Sequence, residues 1–452
     1  MSDGDALASS RSAWTSRLRR IQRAQFVRGV AVIAGGSAIA QAIPVVLTPI
    51  LTRIYSPDDI GILALYTAFI SFAANALTLG YSQAVVSARD EQEASDLVVL
   101  SALAVAPVSV LGAFLLMLLT VNDWLGYGDL PMWSTLAMGL SLVLTGLFFT
   151  LRYWLVRAGA YRMISTATIA QSIGRMVTQV ALGVPGLGSA GLIAGEVIGR
   201  GAGLRSMWSS TRGPVGRHAW PPDAKRLRSV AAAYKKFPLL ATPSALLNSL
   251  ALVLPVPLVS TYFGLTAAGQ YSIATRVLIL PLALIGASVG DVFHSRIALY
   301  ARERPERAFP FFVRVSGVLF LVGLVPMAVV AVYGEPLWAM VLGDAWSTSG
   351  QIAAALAPWA LMQLAVSPVS RVVAVYQGQE LKLIYDALGL LSIVGVLSYG
   401  SYHDWSLVET CTILGWSQAL VYGVYFVLLT RIVRRGERRA ASPAQGGHTR
   451  IT

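Results

Sequence analysis

The chain has 452 residues, 55% of them hydrophobic and 13% charged, with a mean hydropathy of +0.64, where a soluble domain carries roughly 25% charged residues. That composition excludes a soluble enzyme. It leaves room for about a dozen membrane spans of ~20 residues, with no large soluble domain beside them. The net charge of +13 would suit a nucleic-acid binder if it were gathered in one patch, but in a polytopic chain it is the expected cytoplasmic excess of Lys and Arg, and its distribution decides.

In chain order, residues 1–28 are polar and basic, without an apolar core or a small-residue cleavage site, and read as a cytoplasmic tail. Apolar runs predict spans at about 29–51, 60–80, 97–120, 132–152, 163–183 and 187–205, then 238–262, 268–293, 309–333, 351–375, 381–400 and 406–431. The fold class expected is an all-α polytopic membrane protein of about twelve transmembrane helices, in two six-helix lobes (29–208 and 237–431) around a central cavity. The polar segment 209–236 between them is rich in Arg, Lys, Gly and Pro and is expected to be a cytoplasmic linker. Within it AKRLRSVAAAYKK reads either as a solvated loop or as a short helix lying on anionic headgroups. Residues 432–452 read as a disordered cytoplasmic tail.

All but four of the 35 Lys and Arg residues fall on one side of this topology. The exceptions are Arg53, Arg175, Arg276 and Arg371, and of these only Arg53 falls at the opposite face, beside the carboxylates Asp58, Asp59, Asp123, Asp129, Glu335, Asp344, Asp404 and Glu409. Both termini are therefore expected in the cytoplasm. No enzymatic motif survives inspection. Gly186 to Gly191 match G-x-G-x-x-G but lie at an outer turn with no strand before them, and no Walker A sequence occurs. A lone Cys411 and four scattered histidines give no metal-ligand spacing, so neither metal nor cofactor is expected.

Two patterns remain. The first is a duplication: LTRIYSPDDIGILALY (residues 51–66) returns 208 positions later as VSTYFGLTAAGQYSIA (residues 259–274), aligning Pro49 with Pro257, Tyr55 with Phe263 and Gly61 with Gly269. Both copies join the first and second spans of their half, which implies a duplicated protein with a path between its halves. The second is charge within the spans, which costs roughly 2.5 to 3.5 kcal/mol at a helix centre and so calls for a partner or a wet cavity. Arg175 and Glu196 lie within about one helical turn of each other in depth and are candidates for an ion pair, with Arg200 competing for the carboxylate. Arg276 and Arg53 either snorkel or line a positively charged cavity for an anion, since a guanidinium fork suits phosphate. Arg371, Asp291 and Asp386 lie nearer the cytoplasmic ends, where snorkelling or mutual pairing accounts for them and an inner gate is the alternative. Glu196, Asp291 and Asp386 are also the candidates for ion coupling. Glycines 191, 195, 199 and 203 form a stripe for close helix packing. Pro44, Pro49, Pro255, Pro257 and Pro281 are expected to bend the first, seventh and eighth spans.

The stretches GGSAIAQAIPVVLTPILTRIYSPDDIGILALY and YKKFPLLATPSALLNSLALVLPVPLVSTYFG, the latter followed by AAGQYSIATRVLILPLALIGASVGDVF, resemble bacterial polysaccharide-biosynthesis flippases. These are the O-antigen or lipid-linked oligosaccharide translocases of the multidrug/oligosaccharidyl-lipid/polysaccharide exporter superfamily. The resemblance implies movement of a polyprenyl-diphosphate-linked glycan across the bacterial inner membrane, with the lipid substrate, membrane lipids, a polysaccharide polymerase and chain-length proteins as partners and no nucleic acid. It places Gln41, Arg53, Asn248 and Arg276 at matching motif positions, and with Arg175 these form the expected diphosphate and glycan cavity. Where the family often closes its second span with Arg-Tyr-Glu, this chain has Gly80, Tyr81 and Ser82. The rival expectations are a cation-coupled multidrug exporter of the same superfamily and a non-transporting scaffold of glycan polymerisation.

Overall fold

In a computed structural model of the chain, the described residues are Gly29, 31–219 and 223–441. The expected tail at 1–28 lies outside them. Among them there is no strand, and each of the twelve expected spans is at least partly helical, 60–80 leaving the helix after Ala73 and 351–375 being interrupted after Val366. Seven helices are long and apolar enough to cross a bilayer, and one pair of helices, bent by 51°, passes the same test of length and composition only when taken together. In four of the seven, Ala31–Ile54, α4 (Glu91–Val121), Pro305–Leu342 and α16 (Gln379–Tyr402), only 17%, 22%, 22% and 11% of the apolar window is buried within the protein. Surface this apolar in water would aggregate, so its solvent is lipid.

The remaining spans miss that test for local reasons. Helix α2 (Pro57–Ala73) is 17 residues long because the chain unwinds after it. Helix α6 (Tyr161–Gly183) carries Thr168, Gln171, Arg175 and Gln179, and α7 (Gly188–Gly201) has 14 residues. These helices also hold the polar groups considered below.

The chain forms two compact units. The first takes residues up to Leu47, Phe69–Leu118 and Pro131–Leu250. It contains most of α1 (Ala31–Ile54), then α3 (Tyr81–Ala84), α4, α5 (Ser134–Arg157), α6, α7, α8 (Leu204–Ala219), α9 (Ala224–Ala233) and most of α10 (Thr242–Val253). Leu97, Leu151, Leu155, Ile164 and Met207 fill its core. The glycine stripe does what its spacing predicts: a Cβ on Gly195 would strike Gln179, one on Gly199 would meet Arg175, and one on Gly203 would meet Ala167. Glycine thus lets α7 lie directly on α6.

One set of helix ends in the first unit is tied by arginine. Arg157, at the end of α5, donates to the carbonyls of Val85, Ala88 and Asp90 at 3.1, 2.9 and 3.3 Å and pairs with Glu91 at 3.3 Å. One planar fork satisfies a whole turn, which an ammonium on a flexible stem cannot copy. Arg157→Lys is therefore expected to cost about 2 kcal/mol, read as a lower melting temperature of the purified protein. The predicted linker is helical over most of its length: α8 continues past the break at Gly203, and α9 is capped by Asp223, which accepts from the Lys225 amide at 2.9 Å. Leu227 and Val230 bury their side of α9, Lys225 and Arg228 are exposed, and Arg226 reaches the buried Asp96 at 2.6 Å. Tyr234 follows, its phenol held above the ordinary value by burial and then by neighbouring Glu93.

The second unit takes Thr48–Ala68, Leu119–Leu130 and the residues from Ala251 on. It holds most of α2, then α11 (Pro255–Phe263), α12 (Leu265–Glu303), α13 (Ala308–Leu342), α14 (Ser347–Val366), α15 (Val372–Val375), α16 and α17 (Leu407–Ala441). Phe293, Ile297, Phe312, Val369, Val372 and Leu429 are buried together, with Phe293 stacked on Phe311 and Phe312 on Phe426. Helix α17 corrects one expectation, because residues 432–441, read as the start of a disordered tail, continue it to Ala441. Glu437 accepts from the Phe309 amide at 2.7 Å, and the Arg434 guanidinium sits 4.3 Å from the Phe309 ring centre. The basic tail thereby gains partners at the start of α13 that a composition reading does not see. The remainder of that tail lies outside the described residues.

Candidate functional site

Three constellations carry chemistry. In the first unit, α6 and α7 bring Arg175 and Glu196 together as their depth predicts. Arg175 Nη1 lies 3.3 Å from both carboxylate oxygens, and Arg200 Nη2 lies 2.6 Å from Oε1. Both arginines therefore share one carboxylate. Arg200 also donates to Thr145 Oγ1 at 2.9 Å, and Thr145 turns back to the Ser141 carbonyl. The Glu196 side chain is 2% exposed, while those of Arg175 and Arg200 are 31% and 22% exposed. Two guanidiniums against one carboxylate leave one net positive charge, and Nε of each arginine has no hydrogen-bond partner among the described residues. Gly199 makes the cluster possible by leaving room for the Arg175 stem.

The second constellation, also in the first unit, is a pair of broken helices. After Ala73 the backbone leaves the helix over residues 74–80, with Leu79 at φ 48° and Gly80 at φ 74°. A Cβ on Gly80 would lie 3.1 Å from Phe237 Cβ and 3.4 Å from Thr242 Oγ1. Glycine at this position, the departure from the family pattern, is what a left-handed turn pressed against a neighbour requires. That neighbour, residues 237–241, is itself a π-helical turn opening into α10. Irregular backbone at membrane depth persists only where protein or water satisfies it. Here Ser249 Oγ donates to the Ser71 carbonyl at 3.1 Å, Thr78 and Ser82 share a hydrogen bond of 2.8 Å, and the buried Thr242 Oγ1 has no partner among the described residues. Asn248, Ser244, Asn75 and Ser71 are exposed beside these contacts. Of these, only Asn248 was singled out from sequence. The clue to the others is a run of small and polar residues, SFAANALTLG, that ends span two in place of apolar ones.

Gln41 is exposed on α1 and donates to the Ser37 carbonyl at 3.3 Å. At the preceding residue, Ser172 of α6 donates to the Ala40 carbonyl at 2.6 Å.

The third constellation lies in the second unit. Arg53 is exposed and its Nη1 donates back to the Pro49 carbonyl at 2.9 Å. Trp346, fully buried, donates to the Thr52 carbonyl at 2.8 Å and so satisfies an orphan group at the end of α1. Arg276 is half-buried on α12. Asp291 pairs with Arg371, whose guanidinium packs where Gly290 has no side chain, and Asp386 pairs with Lys382 at 2.6 Å one turn away. No three His, Cys, Asp or Glu side chains converge as metal ligands among the described residues.

Comparison with known proteins follows the same lines. A family model described as "Polysaccharide biosynthesis protein" matches residues 50–351. The succinoglycan biosynthesis transport protein ExoT of Rhizobium meliloti is 27% identical over 376 residues, covering 80% of this chain and 72% of that protein. Among solved structures, the lipid II flippase MurJ in an inward closed conformation superposes with a TM-score of 0.67 at 12% identity, over 92% of this chain and 91% of that one. An inward-facing multidrug resistance MATE transporter of the MOP superfamily gives 0.60 at 12% identity, over 89% and 96%.

Proposed function

The chain belongs to the family of polysaccharide biosynthesis proteins, and from that premise we propose that it carries a lipid-linked saccharide from one leaflet of the membrane to the other. It is a multi-pass membrane protein with the helical fold of the MOP transporters. The observation that carries the reading is the extent of the family match, which takes in both copies of the duplicated joint and the break between α2 and α3. Chemistry agrees with it. A polyprenyl diphosphate needs cationic groups, and Arg53, Arg276 and the net positive cluster of Arg175, Arg200 and Glu196 supply them. Sugar hydroxyls need neutral donors and acceptors, and Asn75, Asn248, Gln41 and Ser71 supply those.

The working parts are the two six-helix lobes, 29–208 and 237–431, joined at 209–236 in the cytoplasm. The membrane is the bacterial inner membrane with both termini inside, and polymerase and chain-length proteins take over the product. The protein acts as a carrier rather than an enzyme. Glu196 serves as internal counter-ion, both of its oxygens being engaged by arginine, while Asp291 and Asp386, each paired with a single cation and far more exposed, are the acids for any ion coupling.

The fold likeness to a multidrug transporter supports a second reading, cation export. A cationic drug would then have to pass a membrane interior with net positive charge, which argues against it. A deletion strain separates the two. The carrier reading expects one saccharide-lipid to accumulate, surface polysaccharide to vanish and drug tolerance to stay unchanged. Raised drug sensitivity with intact surface polysaccharide would favour the exporter.

A further inference from the structure

Residues 204–236 hold eight Lys and Arg residues and one acid, Asp223. Asp223 is occupied in capping α9. Both helices of the segment belong to the first unit, and each buries one face while baring the other. In α8, Met207 and Thr211 are buried, whereas Arg205, Trp208 and Arg212, spaced i, i+3 and i+7, are exposed on one side. In α9, Leu227 and Val230 are buried and Arg226 reaches Asp96, whose side chain is 2% exposed. Lys225 and Arg228, one turn apart, are exposed on the other side. A helix held to a membrane by itself must put its apolar face into lipid. Helix α9 keeps that face against protein, so what it presents outward is charge.

Exposed Lys235 and Lys236 continue the charge to the foot of α10. Four residues on, about one turn, Leu239 and Leu240 are each 67% exposed. Leucines this bare on a membrane protein face acyl chains, which puts the two lysines beside them at headgroup depth. Helix α9 is bent by 51° from the helix that begins at Phe237. Along that axis its ten residues therefore advance only about 9 Å, so Lys225 and Arg228 stay near the headgroup layer. The exposed ring of Trp208 suits the same depth. Among the described residues, no carboxylate pairs with Lys225, Arg228, Lys235 or Lys236.

We propose that Lys225, Arg228, Lys235 and Lys236 form a binding surface for the headgroups of anionic phospholipids, held in place by the docking of α9 on the first unit. Clusters of four or more such cations beside a span attract anionic lipid, and each adds to the attraction. Phosphatidylcholine offers the same phosphate beside a choline cation, so net charge rather than phosphate alone selects the lipid. The surface does not depend on what the protein carries.

The full chain is tested in phosphatidylcholine nanodiscs. Ser229→Cys, exposed next to Arg228, is made in a Cys411→Ala background and labelled with a fluorophore. Phosphatidylglycerol or phosphatidylcholine, each bearing the same nitroxide near the top of one acyl chain, is added at a few mole per cent as quencher. The phosphatidylglycerol probe is expected to quench as though at least about fivefold more concentrated than the other, and the preference should fade at about 0.5 M salt. Changing Lys225, Arg228, Lys235 and Lys236 together to Gln should bring the two probes to parity with little change in melting temperature, since all four side chains are exposed. Equal quenching by both probes without those four changes overturns the proposal and points the basic face to an acidic protein instead. A preference undiminished in the folded four-residue variant overturns it as well.

Discussion

Glu196→Ala is expected to strip the protein from the membrane more effectively than any other single substitution considered. The carboxylate is buried and both neighbouring guanidiniums point at it, so its removal leaves two like charges facing each other with no counter-ion. Breaking a buried pair from one side costs about 3 to 5 kcal/mol, and the partial exposure of the two arginines places this case near the lower end. Glu196→Gln keeps the shape and one acceptor oxygen and should lose less. Arg200→Met combined with Glu196→Ala should regain part of the loss, because one charge of the repelling pair is gone. Thermal unfolding of the detergent-purified variants, with protein levels in the membrane alongside, checks the order. A double variant worse than Glu196→Ala would contradict the counter-ion role.

The second large effect is functional. Arg53→Ala with Arg276→Ala should reduce transfer of a polyprenyl-diphosphate saccharide by about 100-fold at equal protein level, since each charged hydrogen bond to phosphate contributes about 1.5 to 3 kcal/mol. The matching lysine variants keep the charge but lose the fork and should fall between. Arg53 starts from a side chain folded onto its own helix at Pro49. Binding a phosphate through Arg53 replaces that weak internal bond rather than breaking an ion pair.

Much of the fold was legible because lipid imposes a simple rule on a sequence: long apolar runs become helices, and charge is tolerated only with a partner. Arg175 and Glu196 were legible as a pair because depth in a bilayer can be counted from the loops. Arg200 was legible as a competitor because it sits one turn from Glu196, although the sequence could not reveal that both arginines would hold the acid at once. The break at residues 74–80 was hidden, since the small and polar residues of SFAANALTLG mark a change in span two without telling a broken helix from a polar helix face. Only the close approach of Gly80 to Phe237 and Thr242 gives the left-handed turn its reason. The helical tail was hidden for a related cause: Glu437 and Arg434 find Phe309, a residue 128 positions from Glu437. The duplicated joint was visible as a repeat, yet no alignment tells that the copies touch at equivalent positions, Gly61 against Leu265 and Gly269 against Pro57. Arg226 on Asp96 belongs to the same class, two residues far apart in sequence whose charges meet only once the chain is folded.

The central claim is that this chain, alone, moves a saccharide across a bilayer by recognising the diphosphate of its lipid. Three labelled lipids in proteoliposomes test it most directly: the same saccharide on a polyprenyl diphosphate, on a polyprenyl monophosphate, and on an uncharged polyprenyl ether. The account predicts that the diphosphate lipid reaches the far leaflet fastest and the uncharged one no faster than in protein-free vesicles. Equal transfer of all three, or of none, would contradict it.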